Sequence, residues 1–327
     1  MIVKERKKPL MILKLHALLD RISPHHPEIP KITEELKKRE AGYRGETSLD
    51  YPLSFLDEKN YLIFHDLRLK DNSSFFQVDT LLLTKSHFIV LEVKNISGTL
   101  YFDHDFKQLI QTTHNGKERA YSYPLTQLRR QEQQLKRWLE KHHLKQMPIT
   151  SYVVVSNPQS IIRTSKKSLH ISQQVIRKEE LPEKLLLLEK SKSPEILNSK
   201  GMKKAARSLL KGHLEQDQSI FEKFQLTKND IRKGVMCSSC KYIGMKRYHG
   251  YWACPVCKMK SKQAHLQAIN EYRLLFNPTI TNSQLRDFLN LQSADTAKRL
   301  LKSMDIPYVG ENKGRKYDLT KIREFKI

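Results

Sequence analysis

The sequence predicts an α/β chain: a mixed β-sheet flanked by helices in its larger part, then a small cysteine ribbon and a winged-helix-like α+β module. Short aromatic and aliphatic runs alternate with polar turns between positions 61 and 94, and a helical interval follows from 124 to 143. All four cysteines fall between positions 237 and 257 as two C-x-x-C pairs. Beyond position 281, two short amphipathic stretches precede a hairpin-like pattern.

A basic start leads into Leu10 to Leu19, an apolar run interrupted by Lys14 and His16. It is too short and too charged for a bilayer span, and no small-residue cleavage pattern follows, so it reads as a helix and not as a signal peptide. Positions 28–60 read as a helical segment that ends near Tyr51 and Pro52. Tyr61 to Leu69, Phe75 to Leu83 and His87 to Lys94 form a β-meander pattern. Thr99 to Phe102 adds a strand, and Phe106 to Tyr123 a hairpin around Asn115-Gly116, a dipeptide suited to tight turns. A helix is expected from Pro124 to His143, with proline in its first turn and Leu125, Leu128, Leu135 and Leu139 at helical spacing. Ile149 to Val155 reads as a buried strand.

Ile161, Ile171 and Val175 suggest continuing strands, Leu181 to Glu189 a helix, positions 190–200 a surface connection, and Lys203 to Leu210 another helix. Thr281 to Leu289 reads as a capped helix, Asn290 to Ser293 as a turn, Ala294 to Met304 as a second helix and Tyr308 to Leu319 as a hairpin with a basic tip. The expected segments are a helical extension (1–34), the sheet domain (35–156), an extension and helical linker (157–230), the cysteine ribbon (231–265) and the winged-helix-like domain (266–327).

The 327 residues carry 59 Lys and Arg against 35 Asp and Glu, a net charge of +24, and 39% are hydrophobic. That is enough apolar material for real cores and too much for a disordered polymer. From Lys200 onward there are 26 basic and 11 acidic residues, so the excess is concentrated at the C-terminal end. Such a field gathers polyanions by counterion release, which makes nucleic acid the first partner to consider, then an anionic membrane surface.

Cys237, Cys240, Cys254 and Cys257 offer four soft ligands from two tight loops, the donor set of a closed, tetrahedral, structural zinc site. Redox dithiols and unconnected buried thiols are the alternatives. Between the knuckles, Lys241, Tyr242, Lys246, Arg247, Tyr248, Tyr251 and Trp252 interleave cations with aromatics, either to grip phosphates and stack bases or to pack around a small core. His249 and His265 read as surface residues. In the final module, the exposed face of the second helix would carry Lys298, Arg299 and Lys302, and the hairpin tip Arg315 and Lys316, as nucleic-acid contacts. A protein-docking role for the same helices stays open.

Glu92 and Lys94 lie two apart in a strand and so share a face, and a neighbouring antiparallel strand can bring Asp79 beside them. Two carboxylates there suit a hard cation such as Mg²⁺, which would polarise a phosphodiester and activate water while Lys94 orients that water. A solvated, salt-bridged strand face is the plain alternative, although the preceding Phe88-Ile-Val-Leu91 makes charges expensive at this place. No G-x-x-x-x-G-K-[ST] loop accompanies these residues, so ATP-driven chemistry is not expected.

Gly45-Glu46, Gln77-Val-Asp79, Glu92-Val-Lys94-Asn95 with Gly98 following, and Tyr123-Pro-Leu-Thr-Gln127 together resemble, in order and spacing, the nuclease-related domain (NERD) over residues 35–156. That domain is similar to the PD-(D/E)xK nucleases, whose restriction-endonuclease-like fold is a mixed sheet flanked by helices. The resemblance implies that Glu46 is a carboxylate from the leading helix, Asp79 the principal metal ligand, Glu92 the second ligand and Lys94 the general-base or water-orienting residue. It makes Gln127 a supporting helix glutamine. The resemblance further implies a cytoplasmic, Mg²⁺- or Mn²⁺-dependent DNA nuclease without a membrane partner, targeted by its zinc-bearing C-terminal modules. Alternatives are a DNA-binding regulatory protein on an inactive nuclease fold and, with RNA as partner, an RNA-processing enzyme.

Overall fold

The computed structural model describes residues 1–191 and 194–322, apart from the side chains of Leu169 and Lys313. Part of the expected 190–200 connection and residues 323–327 of the expected winged-helix-like domain therefore lie outside the described residues. The chain forms two compact units, Met1–Lys8 with Lys38–Gln216, and Pro9–Lys37 with Asp217–Ile327. The expected N-terminal extension is thus shared between them, and most of the expected linker belongs to the first.

The chain begins with β1 (Ile2–Lys4), α1 (Leu10–Arg21), α2 (Ile29–Thr47) and α3 (Asp50–Leu53). The meander follows as β2 (Leu62–Asp71), β3 (Ser74–Leu83) and β4 (Phe88–Lys94). Next come β5 (Gly98–Asp103), β6 (Gln108–Thr112), β7 (Glu118–Ser122), α4 (Pro124–Lys141), β8 (Ile149–Val155), β9 (Ser160–Thr164) and β10 (Val175–Arg177). The unit ends with α5 (Leu181–Lys190) and α6 (Ser199–Gly212).

The main sheet runs in the order β1-β2-β3-β4-β8-β10, with the meander antiparallel and both β4–β8 and β8–β10 parallel. The strand expected at Thr99 to Phe102 does not extend this sheet. As β5 it belongs to a second one, β7-β6-β5-β9. Ile171 departs from the sequence reading: it sits in a 3-10 segment, Lys166–Gln173, because this short stretch turns between β9 and β10.

Both faces of the main sheet are covered. One core joins Phe64, Leu81, Val90 and Val153 to Leu128, Leu135 and Trp138 of α4 and Leu209 of α6. The other joins Ile63, Leu82, Leu91 and Val154 to Leu53 of α3 and Leu181 and Leu185 of α5. A strand apolar on both faces fits a doubly covered sheet, and β4 is the clearest case.

Two glycines of α2 sit in opposite surroundings. A Cβ on Gly45 would lie 2.5 Å from Asn95 Cβ and 2.9 Å from Ser156 Oγ, whereas one on Gly42 would meet nothing within 4 Å. Gly45 thus lets α2 close onto the ends of β4 and β8, where Asn95 Nδ2 donates to the Ala41 carbonyl at 2.7 Å.

The second unit contains α1, the start of α2, α7 (Ile220–Phe224), the ribbon strands β11 (Lys246–Arg247), β12 (Trp252–Ala253) and β13 (Lys260–Ser261), and α8 (Ala264–Leu275). It ends with β14 (Thr279–Thr281), α9 (Asn282–Leu289), α10 (Ala294–Ser303), β15 (Tyr308–Val309) and β16 (Lys316–Asp318). Strands β14, β16 and β15 form a small antiparallel sheet beside the helices. Thr281 and Gln284 close a capping box at the start of α9, and the Ser293 hydroxyl accepts from Thr296 N at the start of α10, so each short helix is fixed by its own sequence. Buried Arg21 of α1 donates to Glu271 of α8 at 2.5 Å and to the carbonyls of Arg232 and Gly234.

The two α2 glycines should respond oppositely to the same change. Gly42→Ala is expected to stabilise the protein by about 0.5–1 kcal/mol through helix propensity, and Gly45→Ala to destabilise it by about 1–3 kcal/mol through overpacking. Denaturant unfolding of the two variants measures both, and equal effects would refute the close approach at Gly45.

Candidate active site

The site forms where β3 and β4 part. Their pairing runs from Leu83–Phe88 to Thr80–Leu91 and stops, while β3 continues against β2 and β4 continues against β8. One residue beyond the last pair, the Asp79 carboxylate replaces a backbone carbonyl and accepts from Val93 N–H at 2.8 Å. Opposite Asp79, Asp66 of β2 has a positive φ of 51°, and here the alternation of both strands slips. Phe64 and Leu81 on one side of this point and Leu67 and Val78 on the other all face the same core.

Glu92 is 3% exposed, and both of its oxygens are engaged. Its Oε1 accepts from Lys94 Nζ at 2.7 Å and its Oε2 from Gln131 Nε2 at 2.9 Å. Lys94 Nζ also donates to Gln127 Oε1 at 3.2 Å, so α4 holds the ammonium from the far side. The structure therefore brings together Asp79, Glu92, Lys94 and Gln127. Glu46 approaches from the end of α2, paired at 3.0 Å with Arg6.

Two residues of this constellation escape sequence reasoning. Gln131 is 4% exposed and bridges Glu92 to the Gln77 carbonyl, while its own Oε1 is buried without a partner among the described residues. Its signal was present: it lies one helical turn after Gln127, between the buried Leu128 and Leu135. Arg6 gave no signal in its basic run, yet its guanidinium contacts Glu46, Asp50, His65 and Thr80. His65 is buried, and burial, Arg6 and Lys4 push its pKa down to about 3, which keeps it neutral as an acceptor for Arg6.

The electrostatics are those of crowded carboxylates. Burial, then Glu92 and Glu46, raises Asp79 well above the ordinary carboxylate range against the opposing Val93 hydrogen bond and Lys94. Burial lifts Glu46 from 4.5 to about 7, with Arg6 opposing and Asp66 and Glu92 adding to the rise. Hard oxygen donors on partly buried, mutually repelling carboxylates are the donor set a divalent cation relieves. Among the described residues, only the four cysteines gather three or more ligand-type side chains within 4.8 Å. Asp79 and Glu92 thus provide at most a two-residue seat.

In the second unit, Cys237 Sγ lies 3.5 Å from Cys257 Sγ, and Cys240 Sγ 3.5 Å from Cys254 Sγ. Sulfurs about 2.3 Å from a tetrahedral zinc lie just under 4 Å apart, so this quartet fits such an ion. Both knuckles close alike: Lys241 and Lys258, each following a second cysteine, have φ of 60° and 61° and donate N–H to the Cys237 and Cys254 carbonyls.

The aromatic residues of the ribbon divide between the two expected roles, with Trp252 1% exposed and Tyr248 52% exposed. His265 corrects the surface expectation, being 4% exposed. It accepts from Trp252 Nε1 at 3.2 Å, and burial followed by Arg247 pushes it down to about 4. Lys298, Arg299, Lys302 and Lys316 are exposed, whereas Arg315 is half-buried and stacks 4.2 Å over Tyr308.

The fold is a mixed α/β domain with its sheet flanked by helices. Residues 41–156 match the family model of the nuclease-related domain. No curated protein and no solved structure matches the chain. No described helix is long and apolar enough to cross a membrane.

Because the folded protein binds the Glu46 proton more tightly than the unfolded chain does, its stabilising contribution is full below pH 4.5 and is lost as pH rises through about 7. Without divalent ions, Glu46→Gln is expected to melt like the parent near pH 4.5 and higher than it above pH 7, by at most about 3 kcal/mol. Melting curves across pH check this, and a difference independent of pH would refute the raised pKa.

Proposed function

We propose that the first unit is a metal-dependent nuclease that hydrolyses phosphodiester bonds in DNA, and that the second unit targets it to nucleic acid. The observation that carries the reading is the Asp79, Glu92 and Lys94 constellation at the parting of β3 and β4, inside the segment that matches the nuclease-related domain. Asp79 and Glu92 would hold Mg²⁺ or Mn²⁺. The ion supplies Lewis-acid polarisation of the phosphoryl group and a lowered pKa for water.

The protein's own residues do the positioning. Gln131 fixes the Glu92 carboxylate, and Gln127 and Glu92 together hold the Lys94 ammonium in place. Lys94 orients the attacking water and steadies the charge that develops on the phosphate, while Glu46 brings a further carboxylate from α2 to the site. Water adds to phosphorus and one P–O ester bond breaks. The cysteine quartet holds structural Zn²⁺, and the exposed Lys298, Arg299, Lys302 and Lys316 contact phosphates, with Arg315 shaping the hairpin tip.

Asp79→Ala or Glu92→Gln should abolish Mg²⁺-dependent cleavage of supercoiled and linear DNA while DNA affinity stays within a few-fold. Cleavage unchanged in both variants would overturn the site. If the parent binds DNA and cuts none with either ion, the regulatory alternative replaces the nuclease. Zinc analysis should give one ion per chain, with the N-terminal unit still folded after chelation, and a content well below one would refute the ribbon site.

A further inference from the structure

A cleft of about 590 Å³ in the second unit lies between the first cysteine knuckle, the segment before it and the end of α9. Lys228, Arg232, Lys233 and Lys241 line it together with Tyr242 and Asn290. Among the described residues, the ammonium groups of Lys228 and Lys241 have no acidic partner. Lys233 is neutralised by Asp287 at 2.9 Å. Arg232 donates from Nε to the Arg21 carbonyl and from Nη2 to the Asp20 carbonyl, and has no acidic side-chain partner among the described residues. The nearby acid Asp230 caps Thr227 through Oδ2, and its Oδ1 lies 3.8 Å from His26 Nε2.

The walls are fixed. Lys241 stands on the knuckle turn with φ of 60°, Asn290 ends α9 with φ of 57°, and Gly234 N donates to the Phe288 carbonyl at 2.7 Å. Gly244 has φ of 137°, and a Cβ there would lie 2.9 Å from the Tyr242 ring. The ring therefore rests against this glycine while staying 44% exposed. A cleft with three uncompensated cations and one supported, accessible aromatic ring has the parts of a single-strand binding site, in which cations track the backbone and a base stacks on the ring.

We infer that this cleft binds single-stranded DNA, with phosphates on Lys228, Arg232 and Lys241 and a base on Tyr242. It deepens the nucleic-acid reading and rests on it for the class of ligand, but needs no cleavage. The site gives the enzyme a grip on an unpaired strand at a distance in sequence from the carboxylates.

The test is fluorescence anisotropy of a short labelled oligothymidylate, and of a duplex of the same length, with the full chain in the absence of divalent ion and chelator. Lys228→Gln/Lys241→Gln is expected to weaken single-strand binding tenfold or more and to reduce the salt slope by about 1.4, the counterion release of two phosphates. Tyr242→Ala is expected to weaken it about 5- to 150-fold, and Tyr242→Phe to restore it to within twofold. Zinc content equal to the parent shows that each variant keeps its knuckles.

Single-strand affinity within twofold of the parent in the double variant and in Tyr242→Ala would overturn the inference, as would a parent that prefers the duplex. A parent that cleaves DNA while the cleft variants bind normally would remove the cleft alone. A parent that binds the oligonucleotide through the cleft yet never cuts would remove the nuclease reading and leave the cleft standing.

Discussion

The crowding of negative charge where β3 and β4 part is the constraint to which the rest of the first unit is fitted. Asp79, Glu92 and Glu46 repel one another in a partly dry place, and each has a dedicated counterweight: Val93 N–H for Asp79, Lys94 and Gln131 for Glu92, and Arg6 for Glu46. Such a cluster costs stability and persists only where its surroundings are firm. Here the firmness comes from a sheet whose two faces are both buried. Gly45 and the α4 glutamines are the local fittings that let α2 and α4 reach the same point.

The second unit meets a different problem, since a ribbon of two-residue strands has almost no core of its own. It relies on the cysteine quartet and on pairing most of the polar groups it buries, although Arg21 Nη2 and Arg247 Nη1 are buried without a hydrogen bond among the described residues. Trp252 is matched with His265, and Arg21 with Glu271 and two carbonyls. Among the described residues Lys228 and Lys241 have no acidic partner, while Asp230 caps Thr227 and Asp287 pairs with Lys233. A basic cleft is the consequence.

Much of the fold was legible because its signals are local. Alternating apolar runs gave β2 to β4, the leucine spacing gave α4, and Asn115-Gly116 gave the β6–β7 hairpin. A capping residue and amphipathic spacing gave α9. What the sequence left open or missed has nonlocal causes. Nothing in Thr99 to Phe102 says that the strand leaves the meander for a second sheet, since that is decided by partners at 108–112 and 160–164. His265 looked polar and proved buried because a tryptophan thirteen residues earlier in the chain supplies its hydrogen bond.

By itself the sequence placed Glu92 and Lys94 on one strand face with Asp79 able to come beside them from a neighbouring strand, whereas Gln127 and Glu46 entered only through the resemblance to the nuclease-related domain. It also determined the four-thiol cluster, because two C-x-x-C turns can bring their sulfurs together in few ways. Only the tertiary structure decided that Arg6 and Gln131 hold those carboxylates, that the strands part at Asp79, and that Lys228, Lys241 and Tyr242 share one cleft. The physical reason is that a hydrogen bond or a field is set by distance in space, and periodicity fixes which face a residue occupies without fixing what stands opposite it.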